Sequence, residues 1–425
     1  MALSKDLIFN LTKKEPEIVS AKIKTPTSKN HEIKCLSDID DQDGLRYLQP
    51  LIFFYPPSSS TIDPVVTIRH GLPKALEAYY PLAGRVFEGP NGKLMVYCNN
   101  EGVVFVEARG ASGLDGLRHH SYLRQSFFVT RFTCGFSLGF LFNHTLLDGS
   151  GLWLFLNAIG ELAKGASKLS VDPVWRRELL EARSPPRITC HHYEYDHKIS
   201  SDKPLVYPKD TFILTLIFFS PIEIQTLYNQ LPKAQFSSFH VIIACLWKCR
   251  TIALEAHPDD IVRVFMLVNM RYGTSRASIP QGYYGNVFAC PAAISKASTL
   301  CESPLEHIAN LIRKAKCEMN EDYIKSVADL MVIKGRPKFA DTWSLGVSDL
   351  RKIGFDNLDV GFGEPSFAGV PWATSDFTFY NNVKCDGGED GVLVTICLPS
   401  MAIEKFQSEL KKMTREPISV YILKY

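Results

Sequence analysis

Residues 140–151 read FLFNHTLLDGSG, and two patterns of very different period meet in them. Upstream, SFFVTRFTCGFSLGF (126–140) is aromatic and β-branched, the composition a pleated, packed surface selects, with Gly135 as the turn between two strands. Downstream, GLWLFLNAIGELAKGA (151–166) repeats apolar residues at helical spacing and closes on Lys164–Gly165. His144 therefore falls at a strand end, with a helix beginning at Gly149 or Ser150. Loops carried on a rigid scaffold are where function concentrates. Gly149 and Gly151 permit a tight turn and close approach of a ligand. An apolar surround keeps an imidazole neutral, as a general base requires. From these residues alone, the competing reading is a core histidine followed by an aspartate helix cap.

A second His/Asp pair with the same spacing, His192 and Asp196, occurs in HHYEYDH (191–197). It follows SPP (184–186), lies among tyrosines and charges, and is fed by no apolar strand. That context predicts a solvated loop histidine, so His144 is the candidate. No G-x-S-x-G elbow and no P-loop accompany it, so a covalent serine and nucleotide hydrolysis find no support.

With 425 residues, 46% hydrophobic, the chain exceeds what one core usually fills, and two domains are expected. A formal net charge of +2 gives no footprint for nucleic acid or an anionic membrane. No apolar run reaches membrane-spanning length and no secretory pattern opens the chain, so a soluble cytoplasmic protein is expected. The 11 cysteines are scattered; Cys245 and Cys249 lie one helical turn apart and read as buried free thiols. No cysteine or histidine cluster has metal spacing.

Along the first half, LRYLQPLIFFYPP (45–57) predicts a strand ended by prolines. PVVTIRHGLPKALEAYYPLAGRV (64–86) predicts a helix stopping at Pro81, and GKLMVYCNNEGVVFVEA (92–108) a hairpin turning at Asn99–Gly102. Regularity fades between about 170 and 210, which reads as a surface linker. The second half restarts with a strand, TFILTLIFFS (211–220), and a helix, PIEIQTLYNQL (221–231). SSFHVIIACLWKCRTIAL (237–254) is a helix apolar almost all round, capped by serines. Then IVRVFMLVNMRY (261–272) reads as a buried strand and ESPLEHIANLIRKAKCEMN (302–320) as a surface helix. The class is mixed α/β.

HTLLDG (144–149) resembles the HxxxDG signature of the plant BAHD acyl-CoA-dependent acyltransferases and, more distantly, the chloramphenicol acetyltransferase superfamily. YYPLAGRV (79–86), VNMR (268–271), QGYYGNVFACPAA (281–293) and LDVGFGEP (358–365) follow in the family's order, so the resemblance covers most of the chain. DDQDGLRYLQPLIFFY, PPRITCHHYEYD and QGYYGN are most similar to the alcohol acyltransferase branch that contains benzyl alcohol benzoyltransferase. The resemblance implies a two-domain chloramphenicol-acetyltransferase-like α/β fold, each domain a mixed sheet with flanking helices. It implies domains at 1–185 and 209–425 joined by a crossover linker at 186–208, with part of 360–395 packing on the first domain. It implies a usually monomeric enzyme with no bound cofactor, acyl-CoA as co-substrate and a small alcohol as acceptor, an aromatic acyl group such as benzoyl being favoured over acetyl.

His144 would then take the acceptor's proton with no acyl-enzyme step, while Asp148 pairs with Arg271 and holds the loop. Asp359, Gly361, Phe362 and Gly363 match a second signature, DFGWG, that shapes the channel. Here it reads DVGFG, and Phe362 lacks the indole N–H that tryptophan would offer. A backbone amide, Thr145 or a water is left to meet an oxyanion. Ser237 and Ser238 at a helix N-terminus, with Lys248 and Arg250, are candidates for CoA phosphates, or else plain capping and solvation. Trp372, Phe377 and Tyr380 are candidates for the acceptor pocket, or else core. Tyr283, Tyr284 and Asn286 belong to a block read as structural. The segments after VVFVEA and after GFGEP are shorter than in relatives. A non-catalytic metabolite- or protein-binding relative and an N-acyltransferase acting on an amine are the competing readings.

Overall fold

A strand that must bury both faces carries little polar alternation, and SFFVTRF and GFSLGFLFN are of that kind. In the computed structural model, which describes residues 12–22, 31–58, 62–110, 125–199, 207–208, 211–232, 236–271, 278–341, 343–384, 390–415 and 419–423, both lie in a 14-stranded sheet. The first half supplies β1 (Leu48–Tyr55), α1 (Pro64–Ala78), β2 (Val103–Arg109), β3 (Ser126–Phe132), β4 (Gly135–Asn143) and α2 (Gly149–Ala163). β2 runs parallel to β3; β3 turns tightly into β4 at Gly135; β4 pairs antiparallel with β1 from Tyr55↔Phe136 to Leu48↔Asn143. Asp63 caps α1 by accepting from Val65 N at 2.9 Å, with Pro64 at the first helical position. The helix ends at Ala78, and Tyr80–Ala83, which contains Pro81, forms a separate 3-10 turn.

Residues 92–108 are not the hairpin their pattern predicts. Leu94–Cys98 joins Glu32–Cys35 and Arg85–Glu88 in a separate three-stranded sheet, whereas β2 pairs with β3. The reversal is real, with Asn100 and Gly102 both at positive φ. Turn chemistry fixes a change of direction and does not choose the partner strand.

The second half supplies β5 (Phe212–Phe219), α3 (Ser238–Ala253), β6 (Ile261–Met266), β7 (Ala292–Lys296), α4 (Leu305–Cys317), α5 (Glu321–Lys334), β8 (Ser344–Asp349), β9 (Phe367–Gly369), β10 (Phe377–Lys384), β11 (Asp390–Pro399) and α6 (Ile403–Thr414). β6 pairs antiparallel with β7 and parallel with β8, β8 runs parallel to β10, and β11 lies antiparallel between β10 and β5. α3 is buried on nearly every face, in one core with sheet residues and with apolar residues of α4 and α6. The described cysteines, Cys245 and Cys249 among them, are free thiols.

Short β9 ties the halves together. It pairs with β1 at Gly369↔Ile52 and Phe367↔Phe54, and with β10 at Phe367↔Val383. Phe355, Leu358, Val360, Phe362, Ala368 and Val370 accordingly pack in the first half's core, while Tyr380 and Val394 pack in the second.

The stretch around His192 corrects the expectation of a solvated loop. His192 is 5% exposed and Glu194 is fully buried. His192 Nε2 meets Ser326 Oγ at 2.8 Å, and Tyr323 Oη donates to Glu194 at 2.9 Å, so α5 supplies the partners that a single-segment reading lacks. Residues 200–206 of the predicted linker, and most of the shortened segment before β3 (111–124), lie outside the described residues.

Candidate active site

β4 ends at Asn143, and the next residue is delivered into a cavity of about 620 Å³ between the two halves. Its lining joins Tyr47, Gln49, Phe142, His144, Gly149 and Ser150 from the first half to Asn269, Phe288, Ser348, Trp372, Thr374 and Phe377 from the second. Aromatic rings close around the imidazole: Phe142, Tyr47 and Phe288 lie 5.6, 5.7 and 6.1 Å away between centroids. Burial holds His144 below the usual imidazole range, so the neutral form dominates at neutral pH; its own carbonyl, Asp148 and Asn286 oppose that shift without reversing it.

Asp148 also touches the cavity, but both of its carboxylate oxygens are engaged by three partners. Oδ1 accepts from Gly151 N at 2.9 Å and caps α2, while Oδ2 accepts from Arg271 Nη1 at 2.5 Å and Val287 N at 3.1 Å. Arg271 Nη2 donates to the carbonyls of Tyr283 (3.3 Å) and Gly285. Gly151 packs against Tyr284 so closely that a Cβ there would fall 2.0 Å from the Tyr284 carbonyl oxygen. The loop after β4 is thus fitted directly onto the GYYGN stretch.

Other predicted residues separate cleanly. Gly149, Trp372 and Phe377 line the cavity, Trp372 at its rim with 39% exposure. Tyr380 does not: it is fully buried in the second core, facing Phe239 and Arg351, away from Phe377 and Phe379. Thr145 is fully buried and its hydroxyl donates to Asn143 Oδ1 at 2.7 Å, which removes it as an oxyanion donor. Asp359 Oδ1 accepts from Gly361 N, Phe362 N and Gly363 N at 2.7, 3.0 and 2.9 Å, and Oδ2 pairs with Lys164 at 3.0 Å. Gly361 and Gly363 take positive φ to make that turn. Phe362 packs edge-on against Phe136 in the core, so the DVGFG block supports the wall from behind.

The residues predicted for CoA phosphates also lie off the cavity. Ser237 Oγ caps α3 in a reciprocal contact with His240, and Ser238 Oγ accepts from Arg351 at 3.1 Å. Lys248 donates to Ser303 O at 2.6 Å. Arg250 is buried, donates to Ser375 O at 3.0 Å, and burial pulls its pKa down to about 10.

Sequence reasoning missed Tyr47, Gln49, Asn269, Phe288, Ser348, Thr374 and Asp376, which reach the cavity from strand ends and loops far apart in the chain. Tyr47 and Gln49 lie within DDQDGLRYLQPLIFFY and Phe288 within QGYYGNVFACPAA, so those blocks carried a signal, as VNMR did for Asn269. Asn269 Nδ2 donates to Ser150 Oγ at 2.9 Å, and both residues face the cavity. Among the described residues no group of three or more His, Cys, Asp or Glu is placed to hold a metal, and no helix is long and apolar enough to cross a membrane.

The chain thus presents a histidine at a strand end in a cavity between two sheet-linked halves. The sequence model of the transferase family matches residues 9–122 and 125–413, and the chain belongs to that family, the BAHD acyltransferases. It is 45% identical to alcohol acyl transferase 2 of Malus domestica, over 91% of each chain. It is 42% identical to alcohol acyltransferase 16 of Actinidia chinensis var. chinensis, over 97% of this chain and 95% of that one. The crystal structure of vinorine synthase superposes with a TM-score of 0.73 at 21% identity, covering 95% of this chain and 98% of that one. F. graminearum TRI101 complexed with coenzyme A and deoxynivalenol superposes at 0.70 and 16%, covering 92% and 99%. The fold is therefore the chloramphenicol-acetyltransferase-like α/β fold that the motif order implied.

Proposed function

We propose that the protein is an acyl-CoA-dependent alcohol O-acyltransferase in which His144 is the general base and no acyl-enzyme forms. The observation that carries the reading is His144 itself: half-buried, held below the usual imidazole range, ringed by aromatics and lining a cavity within the size range of ligand sites. The names of the relatives support an alcohol as acceptor.

The acceptor hydroxyl gives its proton to the imidazole as its oxygen attacks the thioester carbonyl. The tetrahedral intermediate collapses, the C–S bond breaks, and the leaving thiolate takes the proton back from the imidazolium. Alignment of two bound substrates supplies most of the rate, and the base contributes about 10²–10⁴-fold. Ser150 is the residue we assign to the oxyanion: its oxygen is engaged by Asn269, which leaves its own proton to point into the cavity. Phe142, Phe288, Phe339, Phe355, Phe377 and Phe379 give the wall an aromatic surface, which supports an aromatic acyl group such as benzoyl.

The test is incubation of the purified protein with benzyl alcohol and a panel of acyl-CoA donors, reading free CoA and the ester. Benzoyl-CoA is expected to give the highest kcat/KM. Absence of CoA release with every donor, from folded protein, sinks the enzyme reading. One observation favours an amine as a second acceptor class: Asp43, Asp341 and Asp376 all line the cavity and suit a cationic group. An equimolar alcohol/amine competition decides it, ester as the main product supporting the first reading and amide the second.

A further inference from the structure

One glycine of the second half sits where its backbone does not require glycine. Gly346 lies inside β8 with φ outside the left-handed region, and glycine within a strand weakens it and marks a close approach. Its registered neighbours on the two flanking parallel strands are both phenylalanines, Phe265 on β6 and Phe377 on β10. Registered residues share a face of the sheet, so the two rings lean over the glycine from either side. They meet at 5.7 Å between centroids with 65° between their planes. A Cβ on Gly346 would fall 2.5 Å from Phe377 Cδ2 and 2.7 Å from Phe265 Cε2. Both obstacles are ring edges and not backbone, so the fold admits a side chain there if one ring gives way.

The two rings are not equally free to move. Phe265 is 2% exposed, stacks on Phe339 at 4.8 Å and packs with Leu45, Phe288 and Ala292. Phe377 is half-buried and lines the cavity of about 620 Å³, so it has room to turn into that space. The next registered pair along the same strands, Ser348 and Phe379, lines the cavity too. Gly346 therefore lies directly beneath the cavity floor.

The charges at this end indicate which substrate it serves. Gly346 N donates to the Asp376 carbonyl at 2.6 Å, Ser344 N donates to that of Asp341 at 3.1 Å, and Gly44, next to Asp43, lies against Phe339. Asp43, Asp341 and Asp376, all lining the cavity, thus gather here, with Lys338 3.6 Å from Asp43. Carboxylates disfavour the phosphates of coenzyme A and leave this end to an acceptor without negative charge.

We propose that Gly346 determines acceptor size: it lets Phe377 lie back against β8, which makes room for the carbon skeleton of a bulky, aromatic alcohol. A side chain at this position pushes Phe377 into the cavity and narrows the acceptor range to short alcohols. Gly346 touches no substrate and is a positioning residue acting through Phe377. The inference rests on the alcohol O-acyltransferase reading, but the position of the ring can be read without turnover.

The experiment compares wild type, Gly346→Ala and the double variant Gly346→Ala/Phe377→Leu. With benzoyl-CoA as donor, Gly346→Ala is expected to lower the kcat/KM ratio of benzyl alcohol to ethanol by about tenfold or more, the order that one methylene in a pocket is worth. The ratio of benzoyl-CoA to acetyl-CoA, with ethanol as acceptor, is expected to change by less than about threefold. Adding Phe377→Leu is expected to restore the acceptor ratio. A merely structural glycine would lower both alcohols alike without rescue, and that result overturns the proposal, as does a change confined to the donor ratio. A crystal structure of Gly346→Ala is expected to show the Phe377 ring turned into the cavity. A ring left in place overturns the proposal by itself, whereas a wild type that releases no CoA from any donor sinks the enzyme reading. If Gly346→Ala fails to fold, Phe377→Leu alone is expected to raise the ratio of naphthylmethanol to benzyl alcohol by about fivefold, and an unchanged ratio overturns the proposal.

Discussion

Asp148 and Arg271 meet at 2.5 Å with both side chains largely buried, and the other oxygen of the same carboxylate caps α2. One aspartate therefore fixes the start of a helix and joins the two halves beside His144. Removing one member of a buried pair leaves the other charge uncompensated, so Asp148→Ala is expected to cost about 3–5 kcal/mol of stability. Asp148→Asn keeps an acceptor for Gly151 N and is expected to lose less. Denaturant melts of both variants check this; Asp148→Ala as stable as wild type would show that the pair holds nothing.

The depressed proton affinity of His144 fixes the sign of two pH effects. Its ordinary value is 6.5, and burial lowers it in the folded protein. The base form therefore persists on the acid side of 6.5, and the acid limb of kcat/KM is expected below the usual imidazole range. For stability, the unfolded chain takes up a proton on this histidine as pH falls through about 6.5, while the folded chain resists it. The unfolded state then binds more protons, so this group lowers stability from the unfolded value down to the folded one. His144→Gln is expected to remove that component of the slope, read as the difference in unfolding midpoints between about pH 5 and 8. Parallel curves for the two proteins would show that folding does not lower the proton affinity of His144.

Much of this site was legible because its decisive features are local. A strand that ends in His144, an aspartate four residues on and two flanking glycines are read from one short stretch, and the blocks around Arg271 and Asp359 keep a recognisable order. The features that were not legible are made by distant pairing. Nothing in residues 92–108 says that Leu94–Cys98 and Val103–Arg109 belong to different sheets. Nothing near His192 announces Ser326 and Tyr323, which bury it. Tyr380 and Phe379 are neighbours in sequence, yet β10 turns them to opposite faces, so an aromatic cluster could not be assigned to pocket or core by composition. Asp40 and Asn286 are 246 residues apart, and only the folded chain shows that they share a hydrogen bond.

Gly151 is expected to be intolerant of any side chain. A Cβ would stand 2.0 Å from the Tyr284 oxygen and 2.7 Å from its carbonyl carbon, and backbone atoms cannot rotate aside as a side-chain tip can. Gly151→Ala must push α2 off the GYYGN stretch, and with it the His144 loop. A helix-interior Gly→Ala change ordinarily stabilises by roughly 0.5–1 kcal/mol, so a loss here would have the opposite sign to propensity. Soluble yield and thermal melting, followed by kcat on whatever folds, measure it. A stabilised, fully active Gly151→Ala would contradict the close contact.

Restoring the aromatic of the DFGWG signature distinguishes wall support from chemistry. Phe362 faces Phe136 at 5.0 Å in an edge-to-face pair inside the first core, and the cavity lining does not include it. A tryptophan must fit a space shaped for the smaller ring, so Phe362→Trp is expected to cost about 1–3 kcal/mol through overpacking. Its indole N–H would be aimed at the core and not at a developing oxyanion, so kcat on benzyl alcohol is expected to stay within about threefold of wild type. Removal of a true oxyanion donor typically costs about 10²–10³-fold, and Ser150→Ala is the variant expected to show a loss of that order. A tenfold or greater rise in kcat for Phe362→Trp, with no change for Ser150→Ala, would move the oxyanion donor from the first turn of α2 to the DVGFG turn.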